Sequence, residues 1–403
     1  MIQRTEYLNK LLSWKDEKVI KVVTGIRRCG KSTLLKQFQE LLKKDGITNE
    51  QIISLNFEEL DNEELLDYKK LYNYIKSKLV PNCKNYIFLD EIQTVVNFEK
   101  TVDSLYIQDN IDVYITGSNA YLLSSDLSTL LSGRYVELSM LPLSFSEYYE
   151  LNKIESKEKS FNEFMKFGGL PYLSLMDRTQ EKVNTYLEGI YNTVIVKDVQ
   201  DRQKRKSEKR IIDTALLKSI SKYLADVVGN PVSIKGISNY LCSNDRKVSD
   251  HTVSDYVEML TDAFIFYKAD RYDVKGKELL KTNAKYYIVD TGIRNYLISK
   301  KGFDLGFTLE NIVYIELIRR GNKVNVGKVG TKEIDFVAEK NSEKQYIQVS
   351  ANLTDENTFN REMSVLNDIK DNYNKTILTL DNFTTGNYSG IKIVNIIDWL
   401  LNL

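Results

Sequence analysis

Short apolar runs that end in glycine or in acidic residues recur along the first third of the chain. Residues 19–24 read VIKVVT, residues 85–90 read NYIFLD and residues 111–116 read IDVYIT. Continuous apolar runs of this length, separated by stretches with helical spacing, are typical of buried parallel strands. The pattern therefore predicts an α/β fold whose parallel sheet is formed by residues 1–145.

A different order of elements follows in the middle of the chain. Residues 216–228, 233–241 and 249–260 have apolar positions at helical spacing, and residues 263–272 and 281–289 resemble strands. Three helices followed by a hairpin are the order of a winged helix-turn-helix. We therefore expect a winged helix in this part of the chain.

Composition narrows the chemistry that the chain can perform. Lys and Arg number 56, as do Asp and Glu, so contacts with nucleic acid or an anionic membrane would have to be local. A single histidine, His251, and three separated cysteines argue against a zinc site, a histidine-dependent nucleophile and a disulfide framework. Without a signal-peptide pattern or an apolar run long enough to cross a bilayer, we expect a soluble cytoplasmic protein.

The most informative stretch lies where the first apolar run meets a helical segment. Residues 25–33 read GIRRCGKST and satisfy the pattern G-x-x-x-x-G-K-[ST] at a junction between strand and helix. In this arrangement backbone amides surround the phosphates of a nucleotide, and the helix adds the positive end of its dipole. The predicted nucleotide-contacting residues are Gly25, Ile26, Arg27, Arg28, Cys29, Gly30, Lys31, Ser32 and Thr33.

Individual roles follow from the chemistry of these side chains. Lys31 would bridge the β- and γ-phosphates, and the Ser32 hydroxyl would bind Mg²⁺. Arg27 and Arg28 either contact phosphates or a neighbouring subunit, or are simply solvated. Cys29 lies close to Lys31 and a helix start, so one hypothesis is a thiol with a lowered pKa that can be oxidised.

Two carboxylates follow the second apolar run. Asp90 ends the predicted strand and would hold Mg²⁺, whereas Glu91 would orient or deprotonate the attacking water. Adjacent strand residues point in opposite directions, so the pair can divide these roles only at a strand end. We predict a Mg²⁺-dependent ATP site from this pair and the glycine-rich loop.

Three further residues are candidates for sensing or stabilising the γ-phosphate. Ser118 and Asn119 follow the third strand and could contact it. Arg134 lies between a glycine-stopped helix and a new strand, a position that suits an arginine finger acting on a neighbouring subunit. The alternative is an arginine that covers the end of the helix.

Together, GIRRCGKST, LDEIQ, ITGS, LLSGRY with LPLSFSEY, and FGGLP resemble the prokaryotic AAA-type, STAND-related ATPases that carry a C-terminal domain of unknown function. The resemblance implies an AAA-type parallel sheet with a helical lid, a winged helix and a C-terminal α/β domain similar to restriction-type nucleases. No arginine in the expected lid can be assigned as the second sensor residue of such ATPases, and Lys197 and Arg202 are the candidates for this role. The expected domains are residues 1–145 (ATPase core), 146–208 (lid and hinge), 209–300 (winged helix) and 301–403 (C-terminal domain).

Charge is unevenly distributed around the expected winged helix. Residues 197–210 hold seven basic and three acidic residues, a net charge of +4, which indicates a solvated hinge or a phosphate-contacting strip. Residues 248–260, the expected recognition helix, hold three acidic residues and no lysine or arginine. DNA contact, if made, is expected through the hinge and wing residues Lys204, Arg205, Lys206, Lys275, Lys277 and Lys281, and a protein partner is the alternative.

The C-terminal segment resembles a restriction-type nuclease core in which Glu310 and Asp335 occupy metal-binding positions. The third element of such a core is a Glu-x-Lys, and here it reads Gln348, Val349, Ser350. Glutamine carries no charge and serine cannot replace the lysine. We therefore predict an α/β domain that serves packing or partner binding and is not a nuclease.

These patterns predict an ATPase whose nucleotide state drives a conformational switch, and the switch acts on a protein or DNA partner. A second copy of the chain, in a homo-oligomer, is a further candidate partner. Two alternatives stay open at the level of sequence. One is a slow-turnover, nucleotide-gated binding module, and the other is an ATP-dependent nuclease of a defence system.

Overall fold

The computed structural model describes residues 2–117, 131, 133–154, 156–193, 213–244, 246–298 and 304–403. It contains two compact units: the first comprises the described residues up to Pro142 together with Asp262–Phe264, and the second comprises the other described residues from Leu143 onward. We call them unit 1 and unit 2. This boundary lies three residues from the end of the predicted ATPase core.

Unit 1 is built on a five-stranded sheet whose paired neighbours all run parallel, in the order β2-β3-β4-β1-β5. Each residue of the central strands is buried, which explains their continuous apolar runs. The strands are β1 (Ile20–Thr24), β2 (Ile52–Asn56), β3 (Asn85–Asp90), β4 (Ile111–Thr116) and β5 (Tyr135–Ser139).

Helices cover this sheet and bury one apolar stripe each. The helix that follows β1 buries Leu34, Leu35, Phe38 and Leu42, and its Phe38 ring lies 5.2 Å from that of Tyr114 in β4. The described helices of unit 1 are α1 (Thr5–Ser13), α2 (Lys31–Lys44), α3 (Tyr68–Lys78) and α4 (Phe98–Tyr106).

Unit 2 contains helices followed by a mixed sheet. Its described helices are α5 (Phe145–Asn152), α6 (Lys157–Phe167), α7 (Gln180–Thr193), α8 (Thr214–Asp226), α9 (Ile234–Ser243), α10 (Asp250–Asp262), α11 (Thr291–Ile298), α12 (Leu305–Arg319), α13 (Glu356–Asn367) and α14 (Ile396–Leu401). Its strands are β6 (Phe266–Asp273), β7 (Glu278–Ile288), β8 (Lys323–Val329), β9 (Lys332–Lys340), β10 (Glu343–Ser350), β11 (Asn374–Thr379), β12 (Gly386–Tyr388) and β13 (Ile391–Asn395).

Helices α8, α9 and α10 followed by the β6/β7 hairpin have the order expected of a winged helix. The hairpin is also part of a larger sheet, because β6 pairs in parallel with β8 and extends the sheet to eight strands, in the order β12-β13-β11-β10-β9-β8-β6-β7. The expected boundary near residue 300 therefore does not separate two sheets.

The FGGLP segment that follows α6 packs against a buried carboxylate. Asp290 accepts hydrogen bonds from the backbone amides of Gly169, at 2.6 Å, and of Ile293, at 3.0 Å. A Cβ on Gly168 would lie 2.2 Å from the Asp290 carboxylate, and the φ of Gly168 is +80°. Glycine is therefore required where the chain approaches this side chain.

Over the described residues, no helix is both long enough and apolar enough to cross a membrane.

Candidate nucleotide site

The parallel strands of unit 1 bring their carboxyl ends to one edge of the sheet. Asn56 of β2 is paired with Asp90 of β3, and Val23 of β1 is paired with Thr116 of β4. The loop after β1 and the acidic pair after β3 therefore start at the same edge, as sequence analysis expects of a nucleotide site.

Two glycines give the loop after β1 its shape. Gly25 has a φ of +137°, and a Cβ there would lie 2.1 Å from the carbonyl oxygen of Met140. Gly30 has a φ of +106° and precedes the first residue of α2. A side chain at Gly25 would displace the loop from β5, so both glycines of the motif are required by the backbone.

Lys31 begins α2 and turns back into the loop. Its side chain is buried, and its Nζ donates to the carbonyl oxygens of Gly25 (3.0 Å) and Ile26 (3.3 Å). The same Nζ lies 3.7 Å from Oε1 of Glu91. The predicted phosphate-binding lysine and the predicted water-activating glutamate therefore form an ion pair.

Asp90, Ser32 and Thr116 form a hydrogen-bonded group at the strand ends. The Thr116 hydroxyl donates to Asp90 Oδ1, and the Ser32 side chain also hydrogen bonds to the Asp90 carboxyl group. Burial raises the pKa of Asp90 above its usual value, while both hydrogen bonds act to lower it.

Glu91 leaves the strand in a left-handed conformation, with φ of +54°. Its backbone amide donates to the Thr116 hydroxyl at 3.0 Å, and its Oε2 accepts a 2.6 Å hydrogen bond from Nε2 of Gln93. Such a backbone is uncommon for a residue with a side chain, and it ends the extended strand at Asp90. Glu91 is thereby held next to both Thr116 and Gln93.

The donor set at this edge fits Mg²⁺ bound together with a nucleotide. Mg²⁺ in such sites uses one or two protein oxygens and completes its shell with phosphate oxygens and water. Ser32 and Asp90 supply a hydroxyl and a carboxylate that already contact each other. Among the residues that the structure describes, no group of three or more His, Cys, Asp or Glu side chains could hold a metal without a nucleotide.

The other loop residues have distinct environments. Arg27 is half-buried, and its Nη1 lies 3.1 Å from Oε1 of Glu58, while Arg28 is exposed with φ of +67°. Cys29 is fully buried, and burial raises the pKa of its thiol although Lys31 and Arg4 oppose the shift. The hypothesis of a lowered thiol pKa at Cys29 is therefore wrong, because desolvation outweighs the nearby positive charges.

Arg134 lies at the other edge of the sheet. Its carbonyl oxygen accepts a 2.9 Å hydrogen bond from the amide of Ile20, the first residue of β1. Five strand residues, roughly 16 Å at about 3.3 Å each, separate this position from the loop at the end of β1. The Arg134 guanidinium lies 5.4 Å from the centre of the Tyr106 ring. Within its own chain Arg134 is therefore remote from the site.

Several predicted residues lie outside the described part of the chain. They are Ser118, Asn119, Lys197, Arg202, Lys204, Arg205 and Lys206.

Three residues of the site were missed by sequence reasoning. Thr116 ends an apolar strand, and this strand-end position is the one available signal. Gln93 is part of LDEIQ and is buried beside Glu91. Arg4 contacts the loop through Cys29, from 25 residues earlier in the chain, without any pattern that connects the two.

A second cluster of charged groups lies in unit 2. Lys285 Nζ is 3.0 Å from Glu310 Oε1 and 2.8 Å from Glu333 Oε1. Burial opposes the charged ammonium, but Glu310, Asp335 and Glu333 raise the pKa of Lys285 above its usual value. Gln348 accepts from the Asp335 amide at 3.1 Å. Glu310 and Glu333 thus flank a lysine of β7, and Asp335 acts on it only through its charge.

Comparisons with known proteins agree with the geometry of unit 1. Residues 17–149 match the family described as AAA domain. Residues 158–304 match a domain of unknown function, DUF8612. The solved structure of the Walker-type ATPase of Pyrococcus abyssi covers 74% of this chain and 96% of its own, with a TM-score of 0.51 and 17% identity. That likeness shows a shared fold.

Two relatives are similar over most of their length. An uncharacterized protein of Haemophilus influenzae is 43% identical over 406 residues, covering 100% of this chain and 99% of the relative. An uncharacterized protein of Methanocaldococcus jannaschii is 32% identical over 385 residues, covering 89% and 82%. The chain therefore belongs to the same family as these two relatives, and its residues 17–149 form an AAA domain.

Proposed function

We propose that unit 1 hydrolyses ATP in a Mg²⁺-dependent reaction, and that hydrolysis drives a conformational switch acting on a protein or DNA partner. The observation that carries the proposal is the meeting of Lys31, Ser32, Asp90 and Glu91 at one sheet edge, with Lys31 and Glu91 within 3.7 Å. Phosphoryl transfer needs positioning and charge stabilisation, and these four side chains supply both.

The loop and α2 would bind the phosphates. Backbone amides of the loop and the amino terminus of α2 attract negative charge, and Lys31 would leave its contacts with Gly25 and Ile26 to reach the β- and γ-phosphates. Ser32 and Asp90 would hold Mg²⁺, which when bound neutralises charge on the phosphate oxygens. Thr33 is proposed to lie near the α-phosphate.

Glu91 would orient and deprotonate the attacking water. Its carboxylate is shared between Lys31 and Gln93. Phosphates that attract the Lys31 ammonium would remove one of these two partners. The ion pair thus couples phosphate binding to the availability of the base.

Residues beyond this centre would complete the reaction. Ser118 and Asn119 follow β4 and are proposed to sense the γ-phosphate. Arg134 is proposed to act as a finger on a neighbouring copy of the chain, because its place at the opposite sheet edge keeps it from its own loop. This role requires a homo-oligomer.

The direct test compares ATP hydrolysis by the full chain with that of two site variants. Lys31→Ala is expected to lose ATP binding, whereas Glu91→Gln is expected to bind ATP and lose about 100-fold or more in turnover. Lys36→Ala is a matched control, because Lys36 is exposed on the same helix. Equal hydrolysis by wild type and both site variants would contradict the proposal.

A second candidate is the slow-turnover binding module. The contacts of Glu91 with Lys31 and Gln93 favour this module, because a carboxylate held by both side chains is less available to deprotonate water. Negligible turnover with and without DNA, together with protease sensitivity that changes on ATP binding, would support this module over an ATP-driven switch.

Unit 2 is proposed to bind a partner and not to cleave nucleic acid. Lys285 already forms ion pairs with the carboxylates of Glu310 and Glu333, and Gln348 accepts a hydrogen bond from the Asp335 amide. Divalent-dependent DNA nicking that Asp335→Ala abolishes would show instead that this unit is a nuclease. The acidic α10 favours a protein partner over DNA.

A further inference from the structure

Arg4 is a buried arginine next to the nucleotide loop. Only 3% of it is exposed, and it precedes the first residue of α1. Its Nη1 donates to the carbonyl oxygen of Cys29 at 3.1 Å, and its Nη2 donates to that of Leu141 at 2.9 Å. The guanidinium also stacks on the Tyr7 ring, with 4.9 Å between the guanidinium carbon and the ring centre. One side chain thus fixes the loop to the segment that follows β5.

The contact with Cys29 determines where the next amide points. A peptide bond is planar and trans, so the C=O of one residue and the N–H of the following residue point in opposite directions. Arg4 holds the Cys29 carbonyl on the protein side of the loop. The N–H of Gly30 therefore points to the other side, where the amides of the motif surround phosphate.

Gly30 allows the Cys29–Gly30 peptide to rotate, and the hydrogen bond from Arg4 limits this rotation. Its φ of +106° lies in a region where glycine moves readily. A peptide between Cys29 and Gly30 without a fixed carbonyl could rotate and turn the amide away from the nucleotide. A charge-assisted hydrogen bond from a buried guanidinium holds one orientation in place before the ligand arrives.

We propose that Arg4 is a positioning residue for the β-phosphate of a bound nucleotide, acting through the Cys29–Gly30 peptide. The inference rests on the proposed ATP site and assigns to it a side chain that lies outside the motif. Arg4 touches no phosphate in this account. Its effect is therefore expected on nucleotides with a β-phosphate and not on AMP.

The experiment measures the affinities of the full chain for ATP, ADP and AMP in the presence of Mg²⁺. Arg4→Ala is expected to weaken ATP and ADP binding by about 10-fold to 100-fold, the usual range for a lost hydrogen bond to a charged group. AMP affinity should stay within about twofold. Millimolar guanidinium chloride should restore part of the ADP affinity of Arg4→Ala, because it refills the site of the lost side chain.

Two further variants separate positioning from simple stabilisation. Tyr7→Phe removes the hydroxyl that accepts from the Leu141 amide at 3.1 Å and leaves the contact between Arg4 and Cys29. Its ADP affinity should match that of wild type. Arg4→Lys retains charge but lacks the planar guanidinium whose two nitrogens reach separate carbonyl groups, so it should be intermediate. If Arg4→Ala does not fold, the ADP affinity of Arg4→Lys is measured in its place.

The possible results distinguish this inference from the function on which it rests. Failure of wild type to bind ATP or ADP would refute the proposed function. Wild-type binding with unchanged ADP affinity in folded Arg4→Ala or Arg4→Lys would overturn the role of Arg4 alone. If Arg4→Ala loses AMP and ADP affinity equally, or if Tyr7→Phe loses as much ADP affinity as Arg4→Ala, then Arg4 only stabilises the loop.

Discussion

At the scale of single residues, the Thr116 hydroxyl joins Asp90 and Glu91, the two carboxylates of the proposed ATP site. It donates to Asp90 and accepts from the amide of Glu91. It is fully buried, so water cannot replace either bond when the hydroxyl is removed. Thr116 therefore holds Asp90, the proposed Mg²⁺ ligand, and Glu91, the proposed base, in a fixed relative position.

Thr116→Val is expected to reduce the ATP turnover rate by about 10-fold to 100-fold, because about 1.5–3 kcal/mol of hydrogen bonding is lost from a buried site. ATP affinity should change less, since the loop is untouched. Steady-state kinetics give both quantities. Thr116→Ser is the control that keeps the hydroxyl and should stay close to wild type. A Val variant with normal turnover would show that this hydroxyl is dispensable.

Sequence reasoning located some of these residues and missed others for a physical reason. Lys31 and Ser32 lie in a motif at one junction between strand and helix, and Asp90 and Glu91 lie at the end of another apolar run, so each pair belongs to a local pattern. Contacts such as Arg4 with Leu141 join residues 137 positions apart. Nothing in local spacing encodes such a contact, so only the folded chain reveals it.

At the scale of elements, Asp290 connects the loop after α6 to the start of α11. Its carboxylate is buried and accepts backbone hydrogen bonds from both segments. Burial raises its pKa to about 6, although the amides of Gly169, Ile293 and Gly292 act to lower it. Ionisation of this carboxyl group is therefore less favourable in the folded unit than in the unfolded chain.

The raised pKa predicts how the stability of unit 2 depends on pH. An aspartate with a higher pKa folded than unfolded contributes stability below about pH 3.9, and this contribution is lost as pH rises through about 6. Two pKa units correspond to about 3 kcal/mol. The free energy of unfolding of wild type minus that of Asp290→Asn should therefore fall by up to this amount between pH 4 and 7.

Fluorescence can report this difference from unit 2 alone. The chain has two tryptophans, and Trp399 lies in unit 2, where the Arg320 guanidinium is 4.1 Å from its ring centre. In a Trp14→Phe background, urea unfolding followed by the fluorescence of Trp399 gives the free energy of unfolding with and without Asp290→Asn. A difference that stays constant or rises with pH would contradict the account of Asp290.

At the scale of the whole molecule, Arg134 can act only if chains associate. It lies beside Ile20 at the amino-terminal edge of the sheet, and the loop lies at the carboxyl edge. An arginine finger contributes about 10³-fold or more to hydrolysis. Subunits with different defects should therefore complement each other.

A mixing experiment tests this prediction. Lys31→Ala and Arg134→Ala should each be nearly inactive alone, and their mixture should recover about tenfold or more over either, since one chain offers Arg134 to the intact loop of the other. The control replaces Lys31→Ala by a chain that carries both changes, and this mixture should remain inactive. Full activity of Arg134→Ala alone would show that Arg134 only covers the Tyr106 ring.

The sequence predicts the sheet of unit 1 but does not predict which strands of unit 2 pair with one another. The parallel sheet of unit 1 follows from continuous apolar runs, which are a local signal. The pairing of β6 with β8 joins segments more than 50 residues apart, and it merges the expected wing with the C-terminal sheet. Apolar spacing identifies strands but carries no information about which distant strands pair.

The most direct test of the central claim identifies the nucleotide left on the enzyme after a single turnover. The full chain, in excess over radiolabelled ATP with Mg²⁺, is quenched over time and its bound nucleotide is separated. Wild type should retain ADP, whereas Glu91→Gln should retain intact ATP, because the site that binds phosphates is preserved and the base is lost. Bound ADP appearing equally fast in both proteins would contradict the assignment of Glu91 and with it the proposed ATPase centre.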